Sequence, residues 1–593
     1  MRRKNVISRF ATLALATLAC LLLAVLAPVL LVQRTADEPF SGYSVMASPR
    51  DMHVITETVR LGSRPDLTLS RGTLYADGNA ASGTPISRFV LDGPVFHLNV
   101  SGSRADVPGL ERTTASSIID VTAPLLVDQL SAMGFDALTM RRGTLHVTSA
   151  DGGAETINDI QAELSGRRKG YVTARGSFTI RGQQLAFDGM LALPPEKRSS
   201  QRWPMKVSLK GDLLEAAFDG YLDAAADLRL AGYVEITSPS LRRLARWFGV
   251  PVSSASGLNA TTVKGQLNWA RETLAVEDAK VAIDGNEATG ALSLDLKGTR
   301  PLIDATLAFS ALDLTPYAEA ARSHAFLFDR QAASWSAFDL SFPILRHVDA
   351  DVRLSAPKVT IKSYGLVLGR GAATIAVRSG KLLADIAELE VHAGKMNAQV
   401  TVNSNELLPR YTVRGKIESF DAGSAATALL GSPVITGRST LSVDLQGVGQ
   451  TPVELLRRLS GKATFAMADG GRVGLDMKAV KSVAKSTVSP GWGLLAKAQT
   501  SIENVEARAV IRNGVLFTEV LQARSGTAGI AASGRVDLAE RTLDLRLLTK
   551  PGVPTDRPLK PADMAGAESV TVRGSWLEPF VRAGDSAEGE AIR

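Results

Sequence analysis

Apolar and polar residues alternate one for one through much of the chain. In residues 291–297, Leu292, Leu294 and Leu296 fall on one side while Ser293, Asp295 and Lys297 fall on the other. Leu441, Val443 and Leu445 repeat the arrangement, as do Met205, Val207 and Leu209, and Leu543, Leu545 and Leu547 stand opposite Thr542, Asp544 and Arg546. Successive side chains of a strand point to opposite faces, so this period of two predicts strands with one apolar and one wet face. Strands of that kind build antiparallel sheets, whereas the twice-buried strands of parallel α/β folds read as continuous apolar runs.

A recurring ending joins these strands into a series. An apolar residue, then Lys, Arg or Gln, then Gly closes Phe178 to Gly182, Val207 to Gly211, Thr261 to Gly265, Leu294 to Gly298, Tyr411 to Gly415, Val443 to Gly447 and Val570 to Gly574. Such glycines are expected to supply positive-φ turns. Their intervals are irregular, which excludes a strict solenoid period and predicts a long meander of hairpins with insertions.

Helical patterns are few and short. They cover Ala123 to Gly134, Ser240 to Phe248, Pro316 to about Phe328, Thr451 to Gly461 and Asp476 to about Ser486. The clearest start is Thr451, with Pro452 in the first helical position and Glu454 placed to complete a capping box. Residues Gly470 to Gly474 read as a turn before a helix and are too short for a dinucleotide fingerprint.

Charge adds a direction to this pattern. The chain has 593 residues, with 67 basic and 60 acidic side chains, a formal charge of +7 and a pI near 9.4. Residues 1–34 hold Arg2, Arg3, Lys4, Arg9 and Arg34 and no acid, so the other 559 residues carry 62 bases against 60 acids. The body therefore lacks the basic stripe that phosphate contacts need, and at 5% aromatic residues it lacks a stacking platform. Nucleic acid is not an expected partner.

No charge interrupts Phe10 to Val32, long enough to cross a bilayer core of ~30 Å as a helix. With Arg2, Arg3, Lys4 and Arg9 in front of it, the segment predicts a single-pass anchor over residues 11–32, N-terminus cytoplasmic and the bulk exported. Leu26-Ala27-Pro28 is a poor cleavage site with more apolar chain beyond it, which speaks against a removed signal peptide. Cys20 is the one cysteine, so no intrachain disulfide forms and the exported body depends on its core and ladders.

The search for chemistry returns little. The histidines His53, His97, His146, His324, His347 and His392 are scattered, no nucleophile elbow or phosphate loop is present, and one cysteine excludes thiolate zinc sites. No catalytic, cofactor-binding or metal residue is assigned. Acidic residues are numerous enough to supply a carboxylate pair, so an envelope enzyme stays open as the lesser alternative. The sharper question is what covers the apolar faces, since so little helix cannot. A second sheet, closure into a barrel, or a ligand with long apolar chains would each do so. A trough lined by Leu, Val and Ile with few aromatics suits acyl chains.

Here the chain resembles a known family. The segment Leu455-Leu-Arg-Arg-Leu-Ser-Gly-Lys-Ala-Thr-Phe-Ala-Met-Ala-Asp-Gly-Gly-Arg-Val-Gly-Leu-Asp476 is similar to the C-terminal signature of the AsmA family, and Gly534 to Leu538, Thr542 to Leu545 and Val572 to Pro579 resemble its closing strands. Arg142 to Val147 and Phe309 to Tyr317 resemble motifs of its repeating middle. The resemblance is good from about 450 to 580 and looser from 60 to 450.

It implies an inner-membrane protein of Gram-negative bacteria whose periplasmic β groove holds lipid, with no catalytic residues and no cofactor. Phospholipid and the inner membrane are then its partners, with room for an outer-membrane or periplasmic protein. Its expected work is phospholipid transport and outer-membrane assembly, and the alternative is a structural scaffold for outer-membrane protein assembly that conducts no lipid. The expected fold is mainly β: a transmembrane helix, then an elongated, curved antiparallel groove of hairpin repeats with a few short helices. Its layout is an anchor over 1–34, β-repeat regions over 35–240 and 241–334, an AsmA-like region over 335–582 and a flexible tail over 583–593. Leu292, Leu294, Leu296, Leu441, Val443, Leu445, Leu543, Leu545 and Leu547 are the candidate groove lining, and lipid is expected to enter near the anchor.

Overall fold

The computed structural model describes residues 52–55, 59–60, 67–77, 88–100, 137–149, 154–165, 171–192, 202–223, 229–252, 257–317, 339–362, 366–430, 433–474, 500–554, 559–576 and 579–583. The anchor over 11–32, the orienting residues Arg2, Arg3, Lys4 and Arg9, the helices expected over 123–134 and 476–486, and the tail from 584 on lie outside them. Among the described residues, no helix is long and apolar enough to cross a membrane. The protein is mainly β, and it divides into two compact units. One runs to Val252 and includes Leu258–Thr306; the other runs from Leu307 onward.

In the first unit, the strand Leu67–Asp77 is flanked by the short strands Met52–Ile55 and Val59–Arg60 on one edge and by Arg88–Val100 on the other. Arg88–Val100 pairs in parallel with Ala137–Ser149, an exception to the expected hairpin meander. From there each strand pairs antiparallel with the next in the chain: Ala154–Ser165, Tyr171–Ile180, Gln183–Ala192, Arg202–Gly211, Glu215–Asp223, Arg229–Ser238, Thr261–Ala270, Thr273–Ile283 and Asn286–Asp295.

The second unit repeats this logic. Asp349–Ala356 opens an antiparallel ladder through Leu368–Arg378, Lys381–Val391, Gly394–Asn403, Arg410–Asp421, Ile435–Val448 and Ser460–Met467. The ladder continues through Asn504–Arg512, Val515–Ser525, Ala528–Asp537, Thr542–Lys550, Glu568–Ser575 and Phe580–Ala583. Gly471–Val473 and Thr500–Ile502 form a side hairpin against the start of Ile435–Val448. Gly470 to Gly474 is thus largely a strand, not the turn expected from sequence.

Bulges bend these ladders. Asp159, Asp278 and Ser419 have φ of 48°, 48° and 51°, and each sits where the register slips. One extra residue on one strand kinks it and increases the local twist. This explains a departure from the sequence reading. Of the glycines in the recurring ending, only Gly182 and Gly574 have positive φ, while Gly265 and Gly415 lie inside strands. Gly265 faces the bulge at Asp278, where a Cβ would stand 2.6 Å from Val276 Cγ1 and 2.7 Å from the Glu277 carbonyl. The glycine is there for close approach, not for a turn.

The helices close strand ends. α1 (Leu241–Trp247) is capped by Ser240, whose hydroxyl accepts from Arg243 N at 3.3 Å. α2 (Ala422–Leu430) is capped by Asp421, whose carboxylate accepts from Gly423 N at 2.9 Å. In α3 (Pro452–Arg457), Thr451 caps as expected, but Glu454 accepts from Gln450 N at 2.9 Å and closes the box one residue early. Residues 315–317 are helical; the rest of that expected helix lies outside the described residues.

Candidate functional site: an apolar strand face

Residues paired directly across an antiparallel ladder share a face, so the register shows which apolar side chains form one surface. In the second unit, Ala384, Val400, Val413 and Leu445 lie in one row across neighbouring strands. The next row holds Ile386, Ala398, Gly415, Val443, Ala463 and Ala509. The side chains of both rows are half-exposed. The opposite face carries the charge, including the cross-strand pair of Arg414 and Asp444 at 3.3 Å.

Among the described residues, protein covers this face along its borders. On one side the turn Pro343–Arg346 sets Leu345 against Val377 and Val402, with Leu382 and Tyr411 packed beside them. The Tyr411 hydroxyl donates to the Leu340 carbonyl, and burial pushes its pKa up to about 12. On the other side, Ala422 of α2 packs with Phe420, Met467 and Ile502 over the row that contains Ile417, Leu441 and Phe465. Between these borders runs a trough with an aliphatic floor. From Lys381–Val391 to Asn504–Arg512 it crosses six strands, or about 24 Å at ~4.8 Å per strand. Nothing polar in the two rows could activate a nucleophile or move a proton. What the surface can do is take up apolar chain.

The candidates read from sequence fall as follows. Leu441, Val443 and Leu445 share one strand face, Leu441 under the α2 border and the other two in the open rows. Leu543, Leu545 and Leu547 are on the same register-defined face, reached through the opposed pairs Ile511 with Leu516, Leu516 with Val536 and Val536 with Leu543. Leu543, however, is 6% exposed in a core cluster with Val570, Val572, Trp576 and Val581, and Leu545 and Leu547 pack against that cluster. In the first unit, Leu292 opposes Val276 and Leu294 opposes Leu274, while Leu296 lies past the strand end and is buried.

The sequence reading missed Val400, Val413, Ile386 and Trp269. The expectation rested on triplets of Leu and Val, whereas these residues alternate with the same period among Ala, Thr, Asn, Asp, Gln and Arg neighbours. Among the described residues no group of three or more His, Cys, Asp or Glu could hold a metal ion.

Comparison with known proteins gives one match. No curated protein and no solved structure matches the chain. The family model described as the AsmA family matches residues 291–520, which contain the open rows and both of their borders. Over residues 291–520, then, the chain matches the AsmA family.

Proposed function

We propose that this protein holds lipid acyl chains on the apolar faces of its β ladders and supports phospholipid transport and outer-membrane assembly from an anchor in the inner membrane. One observation carries the reading: the aliphatic rows from Ala384 to Leu445 and from Ile386 to Ala509 are half-exposed, in a chain whose charged residues occupy the other strand face. A bare aliphatic strip of this length is a liability in water and a fitting seat for hydrocarbon. The match to the AsmA family over residues 291–520 supports the same reading.

Transport by such a surface needs no covalent step. It needs apolar contacts of similar strength along the path, so that a chain can slide without a deep trap. Residues 11–32 would hold the protein in the inner membrane, with Arg2, Arg3, Lys4 and Arg9 on the cytoplasmic side and the ladders in the periplasm.

The test is lipid mass spectrometry of the full-length protein purified in mild detergent. Stoichiometric phospholipid is expected, with loss of it on Val443→Asp while far-UV circular dichroism stays unchanged. An empty interior in a folded protein would overturn the reading and favour a scaffold.

A further inference from the structure

The apolar face of the first unit is not uniform. Over the strands from Leu67–Asp77 to Arg202–Gly211 it is packed inside: Phe96, Leu145, Phe178 and Ile180 are 0% exposed and Trp203 is 5% exposed. An acyl chain there would have to displace close-packed aromatic and aliphatic side chains. Over the following strands the same face splits. Toward α1, Val234, Ala279, Val281 and Ala288 are buried. Toward the opposite strand ends, Leu230, Leu267, Trp269, Leu274, Leu292 and Leu294 are half-exposed.

These six residues form one patch. Leu230 opposes Trp269, Trp269 opposes Leu274, and Leu274 opposes Leu294, a row over four strands and about 14 Å. Leu267 and Leu292 lie one step deeper, on either side of Val276, whose burial marks the inner limit of the patch. The indole of Trp269 donates to the Arg271 carbonyl at 2.9 Å, which fixes the ring at the strand end with its apolar body on the patch. At the same strand ends Arg229, Arg271 and Lys297 are exposed, while the acids beside them, Asp223, Glu272 and Asp295, are more shielded. Lys297 is 3.6 Å from Asp295. An aliphatic floor, an amphipathic indole at its rim and cations beyond it match a phospholipid in order from acyl chain to phosphate.

The geometry points to this patch as a lateral mouth at which phospholipid loads from the side, while the strands before it form a protein-filled plug that carries none. The inference rests on the lipid-holding reading above and delimits it: lipid does not enter along the ladder from its N-terminal end. Three strands of the patch, Arg229–Ser238, Thr261–Ala270 and Thr273–Ile283, are paired on both sides and offer no edge to a partner's strand. The cations make a phospholipid the occupant argued for, over a second copy or another protein.

The experiment places a photo-cross-linking benzoylphenylalanine at Leu274, Phe178 or Val443 of the full-length protein and irradiates it with vesicles of phosphatidylethanolamine and phosphatidylglycerol carrying radioactive phosphate. Label at Leu274 and Val443 with none at Phe178 is the expected result. Replacing Arg271 or Lys297 by Gln should lower the label at Leu274 roughly fivefold each and leave Val443 unaffected. Label at Val443 without Leu274 overturns the mouth and leaves the groove standing. Equal label at Phe178 overturns the plug. A protein adduct at Leu274 in place of lipid gives the patch to a partner or second copy and overturns the inference, and absence of label at all three positions overturns the groove reading as well.

Discussion

His392 Nδ1 lies 2.7 Å from Ser424 Oγ, which ties the turn between Lys381–Val391 and Gly394–Asn403 to the first turn of α2. The imidazole is 4% exposed, and its Nε2 is buried without a hydrogen-bond partner. The His392 carbonyl accepts from Asp421 N at 2.8 Å, so the helix cap and the turn are linked twice. Burial holds the His392 pKa below the ordinary imidazole value, with Asp421 opposing that shift. The unfolded chain therefore takes up this proton more readily than the folded one. The resulting stability is fully present above about pH 6.5 and is lost as pH falls through the lower folded value. Thermal melts of the full chain should show the second unit losing stability as pH falls below about 6.5, and His392→Gln should flatten that dependence. A pH profile unchanged by the substitution would remove His392 as its source.

Gly220 and Gly232 face each other across Glu215–Asp223 and Arg229–Ser238, at the place where the apolar face passes from sealed to open. A Cβ on Gly220 would fall 2.6 Å from Gly232 Cα and still closer to the Ala231 carbonyl. The obstruction is backbone, which cannot rotate aside. Gly220→Ala should cost about 1–3 kcal/mol in urea unfolding, as overpacking does. Gly285→Ala, at φ 83° with nothing within 4 Å of a Cβ, should cost only about 1–2 kcal/mol of left-handed strain. Combining Gly220→Ala with Gly232→Ala should be less than additive, since one crease accommodates both.

Arg181 and Glu155 form a two-pronged pair, Nε to Oε1 at 2.7 Å and Nη2 to Oε2 at 2.8 Å, and the guanidinium carbon stands 5.7 Å from the Trp247 ring centroid. The two side chains are 13% and 22% exposed, so the pair is shielded and the geometry is bidentate. It pins α1 to the strand ends. The helix is thereby a cap on the sheet, with Phe248 buried beneath it. Arg181→Met should leave Glu155 without its partner and cost about 2 kcal/mol, and Glu155→Gln in the same chain should recover part of that loss. Full additivity in the double-mutant cycle would show that the two groups do not act together.

Much of the β architecture was legible in the alternation because period two depends on side-chain direction alone. What the alternation could not show is which apolar face meets protein, since that depends on how sharply each ladder bends. The bends are made by Asp159, Asp278 and Ser419 in left-handed conformations; Asp tolerates that region better than most residues, but the many Asp residues of the chain do not single out these positions. The parallel pairing of Arg88–Val100 with Ala137–Ser149 was hidden for the same reason: strands that alternate look alike whichever way they pair. Leu543 and Leu445 therefore read identically in sequence although one is core and the other lies on the floor of a trough.

That difference supplies the sharpest test of the groove. Leu543 packs with Val570, Val572, Trp576 and Val581, so Leu543→Ala should open a cavity and cost about 2–5 kcal/mol in urea unfolding. Leu445 opposes Val413 on one side and Gly461 on the other and is half-exposed, so Leu445→Ala removes fewer contacts and should cost less than half as much. With Asp in place of Ala the order of effects reverses in the lipid assay. Leu445→Asp puts a carboxylate that water can still reach onto the trough floor, where it repels hydrocarbon while the fold survives. Co-purifying phospholipid should fall sharply for Leu445→Asp in a protein with a native melting curve. If lipid content stays at the wild-type level in that variant, the row through Val413 and Leu445 is a bare protein surface and the path for lipid lies elsewhere.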